Sequence, residues 1–346
     1  MSRYVRLVVV ASLLFAFLGV PGLFASGAGE EGETVEWRIG HANAPLENSA
    51  LHVTATKFEE LVEEYSEGQI QVEVYPSAQL GNDKEMADLT VSGAIDGFVT
   101  SLNLITQYAP RMDAFILPYM FEESENFRRA ARALWDETNE YLIDKANMRM
   151  FTIWDSGFRH VMSTKPVRTL DDLRELKFRV PPSPVMIAMV ESWDVSPTPV
   201  EWSELFNAVQ LGVVDAFEVD DSVLISARMN EVVRYITEDD HILQVSVGVL
   251  SEDSYQKLPD DLKEVVDRAS METMQHAMDK AGEILQEARQ VSIEEHGLQI
   301  LGRPDDYQEW VDRARTIWPD FYERIGEGDP ELGKQVVDRI FEAAGM

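Results

Sequence analysis

From Pro259 to His296 the chain carries no internal proline and a helical spacing of apolar residues. At 1.5 Å per residue, a stretch of about 38 residues makes a rod of roughly 55 Å. Such a rod is longer than a small domain is wide and can bridge two of them. The total of 346 residues, 45% of them hydrophobic, is enough for two cores and too much for one comfortable domain, so two lobes are expected.

Ahead of the rod, strand and helix patterns alternate. Val35 to Gly40 reads as a strand, Ser49 to Ser66 as an amphipathic helix, and Ile70 to Tyr75 as a strand with strict in-out alternation, together a βαβ unit. A helix from about Asn82 to Gly93 then leads to a short strand, Ile95 to Thr100, and the alternation continues to Met150–Ile153. A second α/β segment follows, with strand Leu176 to Val180, helix Ser183 to Trp193, helix Ser203 to Leu211 and strand Val213 to Glu218. Past the rod, helices are expected over about Asp305 to Arg324 and Glu331 to Ala344. This order implies α/β lobes with parallel or mixed sheets, and ligands then sit beyond the carboxyl ends of strands. Loops 40–48 and 101–108 are therefore pocket candidates.

The N-terminus places Arg3 and Arg6 before an apolar run from Leu7 to about Val20, closed by Pro21 and Gly22 and followed by small residues. That is the pattern of a cleavable secretory signal, too short for a confident membrane span. Gly27 to Gly32 matches G-x-G-x-x-G, but no strand precedes it, and Glu30 and Glu31 would repel phosphate, so it reads as a spacer. There is no cysteine, which excludes disulfides, thiolate metal sites and a lipidated N-terminal cysteine.

A formal net charge of −32 disfavours nucleic acid as a partner and requires any anion site to concentrate positive charge locally. The six histidines show no zinc-ligand spacing, and the chain has no nucleophile elbow and no Walker sequence, so neither cofactor nor metal is expected. Asp220 and Asp221 could meet a cationic group of a ligand, but read rather as solvated loop charges. Arg179 lies on a short strand before Pro181 and Pro182, and Arg159 follows Gly157 and Phe158 at a strand-to-loop junction. A guanidinium at either place matches a carboxylate bidentately, or is an ordinary salt-bridged arginine.

Several stretches, in order over almost the whole of the chain after the N-terminal leader, resemble the solute receptors of tripartite ATP-independent periplasmic (TRAP) transporters. They are Pro76–Gly81 (PSAQLG), Leu117–Phe121 (LPYMF), Gly157–Arg159 (GFR), Leu176–Pro181 (LKFRVP), and Pro197–Phe206 (PTPVEWSELF) through Gly212–Asp215 (GVVD). The resemblance implies a two-lobe periplasmic-binding-protein fold, with a mixed sheet in each lobe, a cleft between them and a long helix spanning both. The corresponding division is a signal peptide at 1–25, a spacer at 26–34, lobe I at 35–156 and 246–283, and lobe II at 157–245 and 284–346.

The resemblance further implies a periplasmic monomer that binds a small carboxylate, such as a sugar acid or dicarboxylate, and hands it to a TRAP membrane permease. The family's main carboxylate-binding arginine falls on Arg179, a second arginine on Arg159 and an aromatic pocket position on Trp202. Where many relatives have asparagine after a glutamate, this chain has Val219 after Glu218, which removes a side-chain donor. Phe217 and Trp154 then suggest a more apolar pocket wall, and the first lobe is expected to contribute Asn43, Ser101, Asn103 and Asp83. Three function classes stay open: a transport receptor, which binds without turnover; a sensor, which docks on a signalling partner; and an extracytoplasmic enzyme, which converts its ligand.

Overall fold

The computed structural model describes residues 34–346; the signal-peptide reading of 1–25 and the spacer up to residue 33 lie outside them. Among the described residues, nine strands form a single mixed sheet. They are β1 Val35–Gly40, β2 Ile70–Tyr75, β3 Gly97–Ser101, β4 Met148–Ser163, β5 Phe178–Val180, β6 Pro197–Pro199, β7 Ala216–Val219, β8 Tyr235–Ser251 and β9 Gln299–Ile300. Their order is β2-β1-β3-β8-β4-β7-β5-β6, with β9 added to β8. β1 pairs in parallel with β2 and β3 at one end, and β5 pairs in parallel with β6 and β7 at the other.

The sheet expected in each lobe is thus present at each end, but the two are joined. β4, with 16 residues, and β8, with 17, pair antiparallel through the middle and belong to both. Their register shifts three times, between Met150 and Thr152, between Asp155 and Phe158, and between Arg159 and Val161. The expected lobe boundaries at 156/157 and 245/246 fall inside these strands, beside the second shift. There Gly157 adopts φ +84°, a left-handed conformation that side chains resist, with its Cα facing Leu285 of the long helix.

The long helix runs over Asp260–Glu294, 35 residues. Asp260 and Asp261 in its first turn complement the helix dipole. Its buried positions, among them Leu262, Val266, Ala269, Thr273, Ala277, Ala281, Ile284 and Ala288, recur at three- and four-residue steps and form one stripe. Along that stripe it packs on the helix Ala50–Tyr65, on β4 and on the short helix Val223–Ser226, so it reaches both ends of the sheet. The alanines in the stripe let backbone approach backbone.

One expected helix is two. The segment from Asp305 to Arg324 divides into Tyr307–Arg315 and Trp318–Ile325. Pro319 lacks the N–H that would bond Arg315 in a continuous helix, and its ring would strike that carbonyl, so it sits in the first turn of a new one. Among the described residues no helix is long and apolar enough to cross a membrane.

Placing alanine at position 157 forces a Cβ into the left-handed region while Leu285 yields. Gly157→Ala should lose about 1–2 kcal/mol of unfolding free energy, read from a urea titration.

Candidate functional site: a cleft with an unpaired arginine

A cavity open to solvent, with about 680 Å³ of empty space counting its mouth, lies between the two ends of the sheet. One wall comes from the loops after β1 and β3 and from the start of the helix Asp83–Val91. The other comes from β5, β7 and the helix Trp202–Gln210, and β4 and β8 form the floor.

Arg179 is the centre of β5, flanked by Thr198 on β6 and Phe217 on β7, and only 2% of it is exposed. Its Nε and Nη2 both donate to the Val200 carbonyl, at 2.9 and 2.7 Å. Val200 in turn donates its N–H to Val180 O at 3.1 Å, so the strand-to-helix turn holds the guanidinium in place. Nη1 bonds no described protein atom, and Arg179 forms no ion pair with a described residue. Burial lowers its pKa to about 10, assisted by repulsion from Arg159 and opposed by Glu218, so it still carries its charge at neutral pH.

Arg159 is engaged differently. From β4 it donates Nε to Glu218 Oε2, Nη2 to the Glu218 carbonyl at 2.6 Å and Nη1 to Gln244 Oε1. Glu218, on β7 with 0% exposure, also faces His241 Nε2 at 3.3 Å, and His241 Nδ1 lies 2.7 Å from Asp239 Oδ2. Burial would raise the Glu218 pKa, but Arg159 and His241 outweigh it and hold the carboxyl down to about 2. Burial would lower His241, but Asp239 and Glu218 outweigh that and push it up to about 9. The four groups form a chain of alternating charge that sums to zero. Gln244 extends it by donating Nε2 to Ser101 Oγ across the floor, which links the Arg159 cluster to the end of β3.

On the opposite wall Asp83 opens its helix behind the Asn82 cap and accepts from Thr100 Oγ1 at 2.6 Å. Burial raises its pKa to about 6 against that hydrogen bond. Asn43 and Asn103 stand in the loops after β1 and β3, and Trp202 opens the helix Trp202–Gln210.

The family described as "Bacterial extracellular solute-binding protein, family 7" matches residues 39–325. The chain belongs to this family. It is 31% identical to a TRAP periplasmic solute-binding protein from Rhodobacter sphaeroides whose structure is apo and open, with a TM-score of 0.74, covering 89% of this chain and 99% of that one. It is 28% identical to the C4-dicarboxylate-binding periplasmic protein DctP of Rhodobacter capsulatus, over 94% of this chain and 95% of that protein. A TRAP solute-binding protein from Haemophilus influenzae with bound L-gulonate shares the fold at a TM-score of 0.82 with 20% identity, over 90% of this chain and all of that one.

Within this family fold, the structure brings Arg179, Arg159, Trp202, Val219, Asn43, Ser101, Asn103 and Asp83 around one cavity. Phe217 and Trp154 do not line it, which corrects the expectation of an apolar wall built from them. Phe217 shares a face of β7 with Val219 but lies two residues further from the cleft, in a core with Leu205 and Val209 of the helix Trp202–Gln210. Trp154, paired with Ser246 in the sheet, is wholly buried in the main core.

Asp220 and Asp221 are not solvated. Both are buried, Asp220 against the cavity and Asp221 in an ion pair of 2.6 Å with Arg289, which reaches from the long helix to Glu238 as well. Sequence reasoning missed Gln244, Glu218 and His241. The partners that join them into one cluster lie 23 to 143 residues away, although Asp239 is only two from His241, and the one available signal was polar residues inside an otherwise apolar strand run.

The charge chain gives a pH signature. His241, raised from 6.5 to about 9, stabilises the fold fully below about 6.5 and loses this as pH rises through 9. Glu218, lowered from 4.5 to about 2, stabilises fully above about 4.5 and loses this as pH falls toward 2. Both contribute in full between pH 4.5 and 6.5. His241→Gln should therefore cost about 3 kcal/mol at pH 6 and much less at pH 10, measured by denaturant titration at each pH.

Proposed function

We propose that this chain is the exported solute receptor of a TRAP-type transporter, closing its two lobes on a small organic acid and presenting it to a membrane permease. The observation that carries this is Arg179, a buried guanidinium held from behind by the Val200 carbonyl, with no counter-ion among the described residues, against a cavity between the lobes. A buried charge without a partner is costly, and a ligand carboxylate supplies the missing one with bidentate geometry. The ligands named for relatives, a C4-dicarboxylate and L-gulonate, are small carboxylates that fit this reading.

Closure is a hinge motion about β4 and β8 near Gly157, with the lobes divided at 156/157 and 245/246. The ligand first meets Arg179 on one wall, then gathers hydrogen bonds from Asn43, Ser101 and Asn103 on the other, which favours the closed state. Arg159 has three donor contacts already satisfied within the protein and acts chiefly by fixing Glu218 and Gln244 beneath the ligand. Trp202 supplies an apolar face for the carbon chain. The receptor binds without turnover: His241 is sealed behind Glu218, outside the cavity lining, and is not placed to move a ligand proton. The residues before 34 serve export.

Arg179→Met separates this function from folding. Ligand-free, the variant should melt no lower than wild type, because an uncompensated buried charge has been removed. Its stabilisation by carboxylates in a thermal-shift panel should vanish, a loss of affinity of about 100-fold or more. Wild-type affinity in this variant refutes the assignment.

A further inference from the structure

Four charged side chains line the cavity: Arg179, Arg159, Asp83 and Asp220. Arg159 is already neutralised by Glu218. Against the single free cation, Arg179, stand two buried carboxylates with no ion-pair partner among the described residues. Asp83 accepts only from Thr100 Oγ1, at 2.6 Å, and its own helix turn. Asp220, 4% exposed, accepts from Ser222 alone, through its N–H at 3.0 Å and its side chain. Their neighbour Asp221 is taken by Arg289 and does not line the cavity, so Asp220 is the acid of that loop that faces a ligand.

We propose that Asp220, with Asp83 opposite, sets specificity for a solute with one carboxylate and a hydrogen-bond-donating far end, and rejects a second carboxylate. This rests on the receptor function proposed above and narrows its ligand. One carboxylate pairs with Arg179. A second would enter a cavity whose two walls each already carry a buried carboxylate, Asp83 on one and Asp220 on the other, with no further free cation among the described lining residues, and like charges in a desolvated site repel strongly. A hydroxyl or an ammonium instead donates to the carboxylates and satisfies acceptors that otherwise stay short of partners. Val219, which replaces a possible amide donor, brings no side-chain donor of its own to the cavity.

Three four-carbon acids matched in length, succinate, 4-hydroxybutanoate and 4-aminobutanoate, test the idea by calorimetry at neutral pH, with the six-carbon L-gulonate beside them. L-gulonate or one of the two donor-bearing butanoates should bind at least about 100-fold more tightly than succinate. Preference for a hydroxyl-bearing compound identifies the donor as hydroxyl, and preference for 4-aminobutanoate identifies it as ammonium. Asp220→Asn should narrow the gap by about 10-fold or more by relieving the repulsion, with Asp83→Asn as the second variant and a ligand-free melt to show that each is folded. Succinate binding as tightly as the best donor-bearing compound overturns this proposal and leaves the receptor function standing. Binding of none of the four by folded wild-type protein overturns both.

Discussion

A carboxylate kept wholly out of water must be answered by cations and donors, and the way Glu218 is answered organises the cleft. It lies on β7, and its partners Arg159 and His241 come from β4 and β8, so the charge chain ties three neighbouring strands through their side chains as well as their backbones. Gln244 carries the tie to Ser101 at the end of β3. The floor of the cavity is therefore cross-tied and electrically balanced before any ligand arrives. Arg179, one strand further out, is left as the unbalanced charge.

That division of labour explains why two arginines with similar sequence settings take different roles. Both sit on strands and both are buried, but one has a glutamate beside it and the other has only a carbonyl oxygen behind it. A neutral acceptor orients a guanidinium without cancelling its charge. Gly157, with its positive φ, and the register shifts around it lie beside the balanced cluster, two residues from Arg159 in the chain.

Much of this was legible beforehand where local pattern carries the information. The alternation of Ile70–Tyr75 marked a strand with one buried face, and the apolar stripe of the long helix marked a rod reaching both lobes. Arg179 was picked out by the strand before Pro181 and by the family motif. Less legible were β4 and β8, because central strands buried on both faces do not alternate, and because Asp155, Ser156, Asp239 and Asp240 look like loop residues until their partners are known. Trp154 and Phe217 were misplaced for a related reason. Strand periodicity tells which face a side chain occupies, but not how far along that face the cleft ends and the core begins.

The join between the two ends of the sheet has a consequence for how such a protein changes its diet over evolutionary time. The groups that hold the floor together are sealed and mutually dependent, so a change in any one of them is felt as a loss of folding. The groups proposed to read the solute, Asp83, Trp202, Val219 and Asp220, sit on the two walls of the cavity. Selection can exchange them one at a time around a fixed Arg179, so a new nutrient requires new walls on an inherited floor.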